Sequence, residues 1–361
     1  MRIKDICIVQ SNNYKSQDNW KYFNYLDTGS IVKNHIESFQ LIKNEEDLPS
    51  RAKQKVSVND IIYSSVRPSQ EHHGFIDRTF DNLLVSTGFI VLKPIDSKVN
   101  PKYLYYFLTQ ETITNQLQSI AQNSTSSYPS ITKDDLLNLE INLPSLEIQN
   151  KIVSILSLID EQIERNNAMV KRLQVLALNI FDYYSKENDG SNSIVLDDVL
   201  IERKKSSIQV NDVIDLSGDI PFFTSGDAIL HTKEKLISGF NIFLSTGGNA
   251  KVQAYYGDSS YSTDTWCVSA KDDLQYYLYG YLKRIETQMD KLYFSGTGLK
   301  HLQKPIFVKS IINTPADNNL HKYNLRVAPI YKHISKIEEL TFQLQKIRNK
   351  LLPLLINQQL L

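Results

Sequence analysis

Apolar and polar positions along the chain follow two periods. Residues 1–100 and 193–275 alternate short apolar runs with Gly, Asn, Asp and Ser, the punctuation of short strands and loops. From Ser145 to Lys186 there is neither Gly nor Pro, which predicts one long helix. Along it a heptad phase selects Ile152, Leu156, Ile159, Ile163, Asn166, Val170, Leu173, Ala177, Ile180 and Tyr184. Moved by 171 positions, the same phase selects Tyr323, Val327, Ile330, Ile334, Ile337, Thr341, Leu344, Arg348, Leu351 and Leu355. Counting Tyr, nine of the first ten and eight of the second are apolar, against about four expected at 41% apolar composition. That excess marks a coiled-coil seam. A helix of 42 residues at ~1.5 Å per residue reaches ~60 Å, so its seam needs a partner of equal length, and the second run supplies one. Asn166, Thr341 and Arg348 interrupt the seam; a buried Asn there is a register device or a position open to water. Pro329 should kink the second helix or mark its true start.

The strand-rich segments are themselves written twice. Asp60-Ile61-Ile62-Tyr63-Ser64-Ser65 matches Asn241-Ile242-Phe243-Leu244-Ser245-Thr246. Tyr103-Leu104-Tyr105-Tyr106-Phe107-Leu108 matches Tyr277-Leu278-Tyr279-Gly280-Tyr281-Leu282, and Asn142-Leu143-Pro144 matches Asn313-Thr314-Pro315. Three matches in one order, with drifting offsets, indicate a duplication with loop insertions. The expected fold class is therefore α+β: two tandem α+β domains, each followed by a long helix, the two helices pairing as an antiparallel coiled coil. The boundaries read as 1–145, helix 146–187, 193–316 and helix 317–361, with Asn188-Asp189-Gly190-Ser191-Asn192-Ser193 as the linker.

Charge and cysteine content narrow the function. Forty Lys and Arg balance forty Asp and Glu, which excludes a histone-like polycation and an acidic disordered tail. Cys7 and Cys267 are too few and too far apart for a disulfide scaffold or a thiolate zinc site, and read as buried small hydrophobes in a reducing compartment. Charge interrupts the first residues and apolar runs are strand-length, so neither a signal peptide nor a membrane span is expected, and the location is read as cytoplasmic.

No catalytic constellation emerges. A DNA methyltransferase would need a Gly-rich donor loop and an Asn or Asp followed by Pro-Pro and an aromatic, and neither occurs. Phe294-Ser295-Gly296-Thr297-Gly298 lacks a third glycine, and Ser245-Thr246-Gly247-Gly248-Asn249-Ala250-Lys251 lacks the phosphate-loop spacing and hydroxyl. Asp96-Ser97-Lys98 falls between Pro94 and Pro101, where a turn is expected. His72 and His73 are adjacent, so on a strand they point to opposite faces and cannot share a metal. What the loops offer is recognition chemistry: Ser64, Ser65, Arg67, Gln70, His72, His73 and Arg78 in the first half. The second half offers Thr224, Ser225, Lys233, Lys235, Thr246, Asn249, Lys251, Lys300 and His301. Arg and Lys suit guanine edges and phosphates, Asn and Gln suit adenine, and hydroxyls reach either.

A run of short motifs then carries a resemblance. After the aromatic helix come Ser127-Tyr128-Pro129-Ser130-Ile131-Thr132, Leu139-Glu140-Ile141-Asn142-Leu143-Pro144, Glu147-Ile148-Gln149-Asn150-Lys151-Ile152 and Ile159-Asp160-Glu161-Gln162-Ile163. Gly298-Leu299-Lys300-His301-Leu302 through Ile311-Ile312-Asn313-Thr314-Pro315 repeats the signature. The whole chain resembles the specificity subunit of type I restriction–modification enzymes. The resemblance implies two recognition domains reading the halves of an interrupted DNA site, with Ser127 and Tyr128 joining the candidate DNA contacts. It further implies helices that set the distance between halves and dock methyltransferase subunits, two in number, with restriction subunits possible. Docking would fall to Gln149, Ile152, Leu156, Ile159, Ile163, Ile330, Ile334, Ile337 and Leu344. No cofactor is expected on this chain; S-adenosylmethionine, ATP and Mg belong to the partners. With a neutral net charge, the chain alone should bind double-stranded DNA weakly. Two rivals stay open: a coiled-coil adaptor without DNA readout, and a self-contained nuclease or methyltransferase.

Overall fold

The computed structural model describes residues 1–123, 128–186, 192–213, 218–271 and 273–359. Ser127 and most of the expected linker lie outside the described residues. The chain divides into two compact units, Met1–Asp160 with Ile347–Leu361, and Glu161–Lys346. Each unit thus takes a stretch of both long helices, where the sequence reading kept the helices apart from the domains.

In the first unit a sheet has the spatial order Cys7–Val9, Phe89–Pro94, Ile61–Ser64, His73–Phe75, all antiparallel. A second sheet contains the parallel pair Phe23–Leu26 and Leu83–Ser86. The run Ile61–Ser64 is apolar without alternation because both faces are covered. Ile61 and Tyr63 enter one core with Ile90 and Leu92, while Ile62 enters another with Phe89 and Val91. Helices α1 (Pro101–Leu108), α2 (Glu111–Gln122) and α3 (Lys133–Leu137) follow, then α4 (Leu146–Lys186). Asn100 caps α1 by accepting from the Lys102 and Tyr103 amides, with Pro101 at the first helical position. Asp96-Ser97-Lys98 is a turn, with Lys98 Nζ bonded to the Asp5 carbonyl at 2.9 Å.

The second unit repeats the plan. Its sheet order is Leu200–Glu202, Thr265–Ala270, Phe240–Ser245, Val252–Tyr256, and a parallel pair, Ile220–Phe223 with Ser260–Tyr261, sits in a separate sheet. Ile242 and Leu244 again enter one core and Phe243 another. Helices α5 (Leu196–Val199), α6 (Gln275–Leu292) and α7 (Lys304–Phe307) precede α8 (Asp317–Ile356). Gly280 of α6 lies against the Phe181 ring, where an added Cβ would come within 2.5 Å of Cδ2. Cys7 and Cys267 are free and buried, and burial pushes both thiols up to about 12.

Every position of the heptad phase is buried or half-buried. Within the second unit, contacts of Asn166 with Thr341, Phe181 with Tyr323 and Tyr184 with Arg326 set the two helices antiparallel. The seam faces the domain core as well as the partner helix, since Phe181 also meets Tyr277 of α6. The polar interruptions pair with one another or with a carboxylate: Asn166 Nδ2 donates to Thr341 Oγ1 at 3.0 Å, and in the first unit Arg348 Nε donates to Asp160 at 2.5 Å. Pro329 does not start α8; it lies exposed, inside a helix that begins at Asp317.

Candidate nucleic-acid interface

The two copies of the central strand end the same way. In the first unit the segment after Ile61–Ser64 pairs with the chain before α3: Ile131 N–H donates to Ser65 O (2.8 Å) and Arg67 N–H to Pro129 O (2.9 Å). In the second, Leu302 N–H donates to Thr246 O (3.0 Å) and Gly248 N–H to Lys300 O (2.9 Å). Val66 bridges Ser130, as Gly247 bridges His301. These bonds equate Ser65 with Thr246, Arg67 with Gly248, and Ser130 with His301. A helix then pins each loop. Gln118 of α2 accepts from Ser69 N–H at 3.0 Å. Asp290 and Glu286 of α6 accept from the Ala250 and Val252 amides at 2.9 and 2.8 Å.

In the second unit this edge forms an open cleft of about 610 Å³, where the structure brings together Ser225, Thr246, Asn249, Lys251 and His301 from the predicted set. Asp227, Asp264 and Glu286 also line it, and sequence reasoning missed them. Lys251 is ion-paired with Asp227, and Lys300 with Asp290 at 3.1 Å. Contacts with the Ala250 amide and with Lys300 hold the Asp290 carboxyl below its usual range. The Ser225 and Thr246 hydroxyls both donate to Asp264 O, so they brace the loop. The cleft's mixed charge suits recognition of polar edges better than a run of phosphates. Lys233 is exposed beyond the strand Ile229–Thr232, and Lys235 pairs with Asp258 at 3.3 Å.

In the first unit Arg67, Gln70, Arg78 and Tyr128 are exposed, with the Arg67 guanidinium 5.3 Å over the Tyr128 ring. Arg78 lies similarly over Phe80 at 5.1 Å. Ser65 and His72 are half-buried; Ser65 donates to Gly88 O and His72 Nδ1 bonds Ile31 O at 2.6 Å.

Several expected contacts are corrected by burial. His73 is 2% exposed on the edge strand His73–Phe75, with Nδ1 bonded to the Tyr105 hydroxyl, so it faces the core. Desolvation lowers its pKa to about 3, which keeps the ring neutral. Ser64 and Thr224 are buried, and their hydroxyls donate to Val66 O and Ala228 O. Among the expected docking residues, Gln149 is fully buried and braces α4 to α1, accepting from Asn100 N–H and donating to Pro144 O, each at 2.8 Å. Ile152, Leu156, Ile334 and Ile337 are buried in cores, and Ile159, Ile163, Ile330 and Leu344 are half-buried on the seam. The outward face of α4 carries Met169, Leu176 and Tyr183 instead, exposed and seven residues apart.

Among the described residues no cluster of His, Cys, Asp and Glu could hold a metal, and no helix is long and apolar enough to cross a membrane. The family of type I restriction modification DNA specificity domains matches the chain twice, over residues 1–174 and 188–351. The chain is similar to the specificity subunit of type I restriction enzyme HindI from Haemophilus influenzae, 33% identical over 157 residues, 44% of this chain and 34% of that one. It is similar also to the type I restriction enzyme MjaIX specificity subunit from Methanocaldococcus jannaschii, 24% identical over 326 residues, 78% of this chain and 74% of that one. The first of these matches spans about a third of the relative's length. A solved S subunit of a type I restriction–modification system from M. genitalium is alike in fold, with a TM-score of 0.59 at 15% identity over 98% of this chain and 95% of that one.

Proposed function

The chain belongs to the type I restriction modification DNA specificity family and carries that domain twice, and from this premise we propose that it selects the DNA site of a multi-subunit modification enzyme. Each unit reads one half of an interrupted site with the loop edge after its central strand. The observation that carries this reading is the duplicated edge: the same three backbone pairings present Ser65–Arg67 in one unit and Thr246–Gly248 in the other. A fixed backbone frame with differing side chains lets one fold read two different half-sites.

The chain supplies recognition, and methyl transfer to adenine falls to partner subunits that bind S-adenosylmethionine. A restriction subunit, where one is present, brings ATP and Mg chemistry. The exposed line Met169, Leu176 and Tyr183 on α4 is the docking face for a methyltransferase subunit, because the seam residues are already occupied. The assembly works on DNA in the cytoplasm. Single-molecule methylome sequencing of the source cell, with and without this gene, tests the reading. One interrupted adenine-methylated motif should vanish on deletion. An unchanged methylome with the partners expressed would refute it.

A further inference from the structure

We propose that Arg67 determines specificity in the first unit and reads a guanine, held for that task by a backbone conformation that its side chain disfavours. The inference rests on the DNA-reading function above and names one residue and one base within it. Arg67 has φ +48 and ψ +69, the left-handed region in which Cβ crowds the following carbonyl. Its counterpart in the second unit is Gly248, at φ +80, matched through the same amide bond to the facing segment. Glycine satisfies this turn at no steric cost, so the arginine of the first copy opposes the local preference of the fold.

The other exceptions have local explanations. Of nine non-glycine residues with positive φ among the described residues, Asn19, Asn34, Asn59, Asn82 and Asp273 are of the types that tolerate it, and Gln358 follows the last turn of α8, its N–H bonded to Leu355 O. Lys33 and Glu71 form an ion pair with each other at 2.8 Å. Arg67 has no such return. Among the described residues no carboxylate pairs with its guanidinium, which lies over the Tyr128 ring, itself 61% exposed. Strain kept at a residue whose polar group is unused within the fold points to use outside it. A cation–π contact engages the charge of the guanidinium and not its N–H donors, which stay available to an acceptor outside the fold. Guanine presents two acceptors, N7 and O6, at the spacing that fork matches; adenine replaces one of them with a donor.

The test uses the full chain, assembled with its partner subunits in cells, and reads the methylated motif for the wild type, Arg67→Gly and Arg67→Lys. Thermal unfolding of the purified chains accompanies it. The wild-type motif should contain a guanine in one half that both variants cease to require, with discrimination at that base falling about 5- to 150-fold and the other half unchanged. Arg67→Lys keeps the charge but not the fork, so its failure separates base reading from phosphate contact. Arg67→Gly should unfold at the same temperature as the wild type or higher. An unchanged motif in Arg67→Gly overturns the assignment while leaving the DNA-reading function intact. A lowered unfolding temperature with loss of the whole motif would show a structural role instead. A wild-type complex that methylates no site overturns the DNA-reading function itself, and the assignment with it.

Discussion

Replacing Asp160 by Ala should destabilise the first unit by about 2–3 kcal/mol, since breaking a buried pair costs about 3–5 kcal/mol and this one retains some access to water. The Asp160 and Arg348 side chains are 25% and 23% exposed. One Asp160 oxygen accepts from Arg348 Nε, and the other accepts from the Tyr106 hydroxyl at 2.7 Å. The substitution therefore strands a guanidinium and leaves the Tyr106 hydroxyl only the Ser157 hydroxyl, at 3.4 Å. For a unit of this size, the loss corresponds to a fall of roughly 4–12 °C in unfolding temperature. Adding Arg348→Met should recover most of it, because removing both charges leaves no charge unpaired. Differential scanning calorimetry of wild type, Asp160→Ala, Arg348→Met and the double variant gives the coupling directly. A single Asp160→Ala loss under about 1 kcal/mol, or no recovery in the double variant, would refute the argument.

Two further outcomes can be checked on the same purified chain. His73 is held near 3 in the fold against about 6.5 when unfolded, so the fold excludes its proton and stability falls as pH drops below 6.5. At pH 5 that linkage is worth about 2 kcal/mol, and His73→Gln should show a shallower loss of unfolding temperature between pH 7 and 5; parallel curves would refute it. Gly280→Ala should destabilise the second unit despite a helix-propensity gain of about 1 kcal/mol, because the new methyl meets the buried Phe181 ring. Phe181→Leu in the same chain should restore part of the loss, and a raised unfolding temperature for Gly280→Ala alone would count against the packing account.

The long helices and the duplication were legible because both are periodic. The heptad phase needs only the seven-residue spacing, and its positions are buried or half-buried throughout. The repeat showed through Ile61–Ser64 and Phe240–Ser245, each apolar on both faces because two cores flank it. Burial of single polar residues was not legible. His72 and His73 look alike in sequence, and only the register of His73 opposite Tyr63 sends it inward. Asp227 and Asp290 were missed because their partners, Lys251 and Lys300, come from separate segments that only the fold brings together. Gln149 sits on a helix and reads as a docking residue, yet it closes a bond to the amide of Asn100.

The core of the first unit contains Leu352, Leu355 and Ile356 beside residues from the first half of the chain, and Tyr103 donates its hydroxyl to Ile356 O at 3.3 Å. The ribosome makes those three residues after every residue of the second unit. At ~5–20 residues per second, the nearly 200 residues between Asp160 and Ile356 take roughly 10–40 s to synthesise. Through that interval the nascent first unit lacks the apolar side chains of Leu352, Leu355 and Ile356 that complete its core. The unit begun first is thus completed only after the whole of the second unit has been made, and until then the nascent chain is open to chaperones and to mispairing.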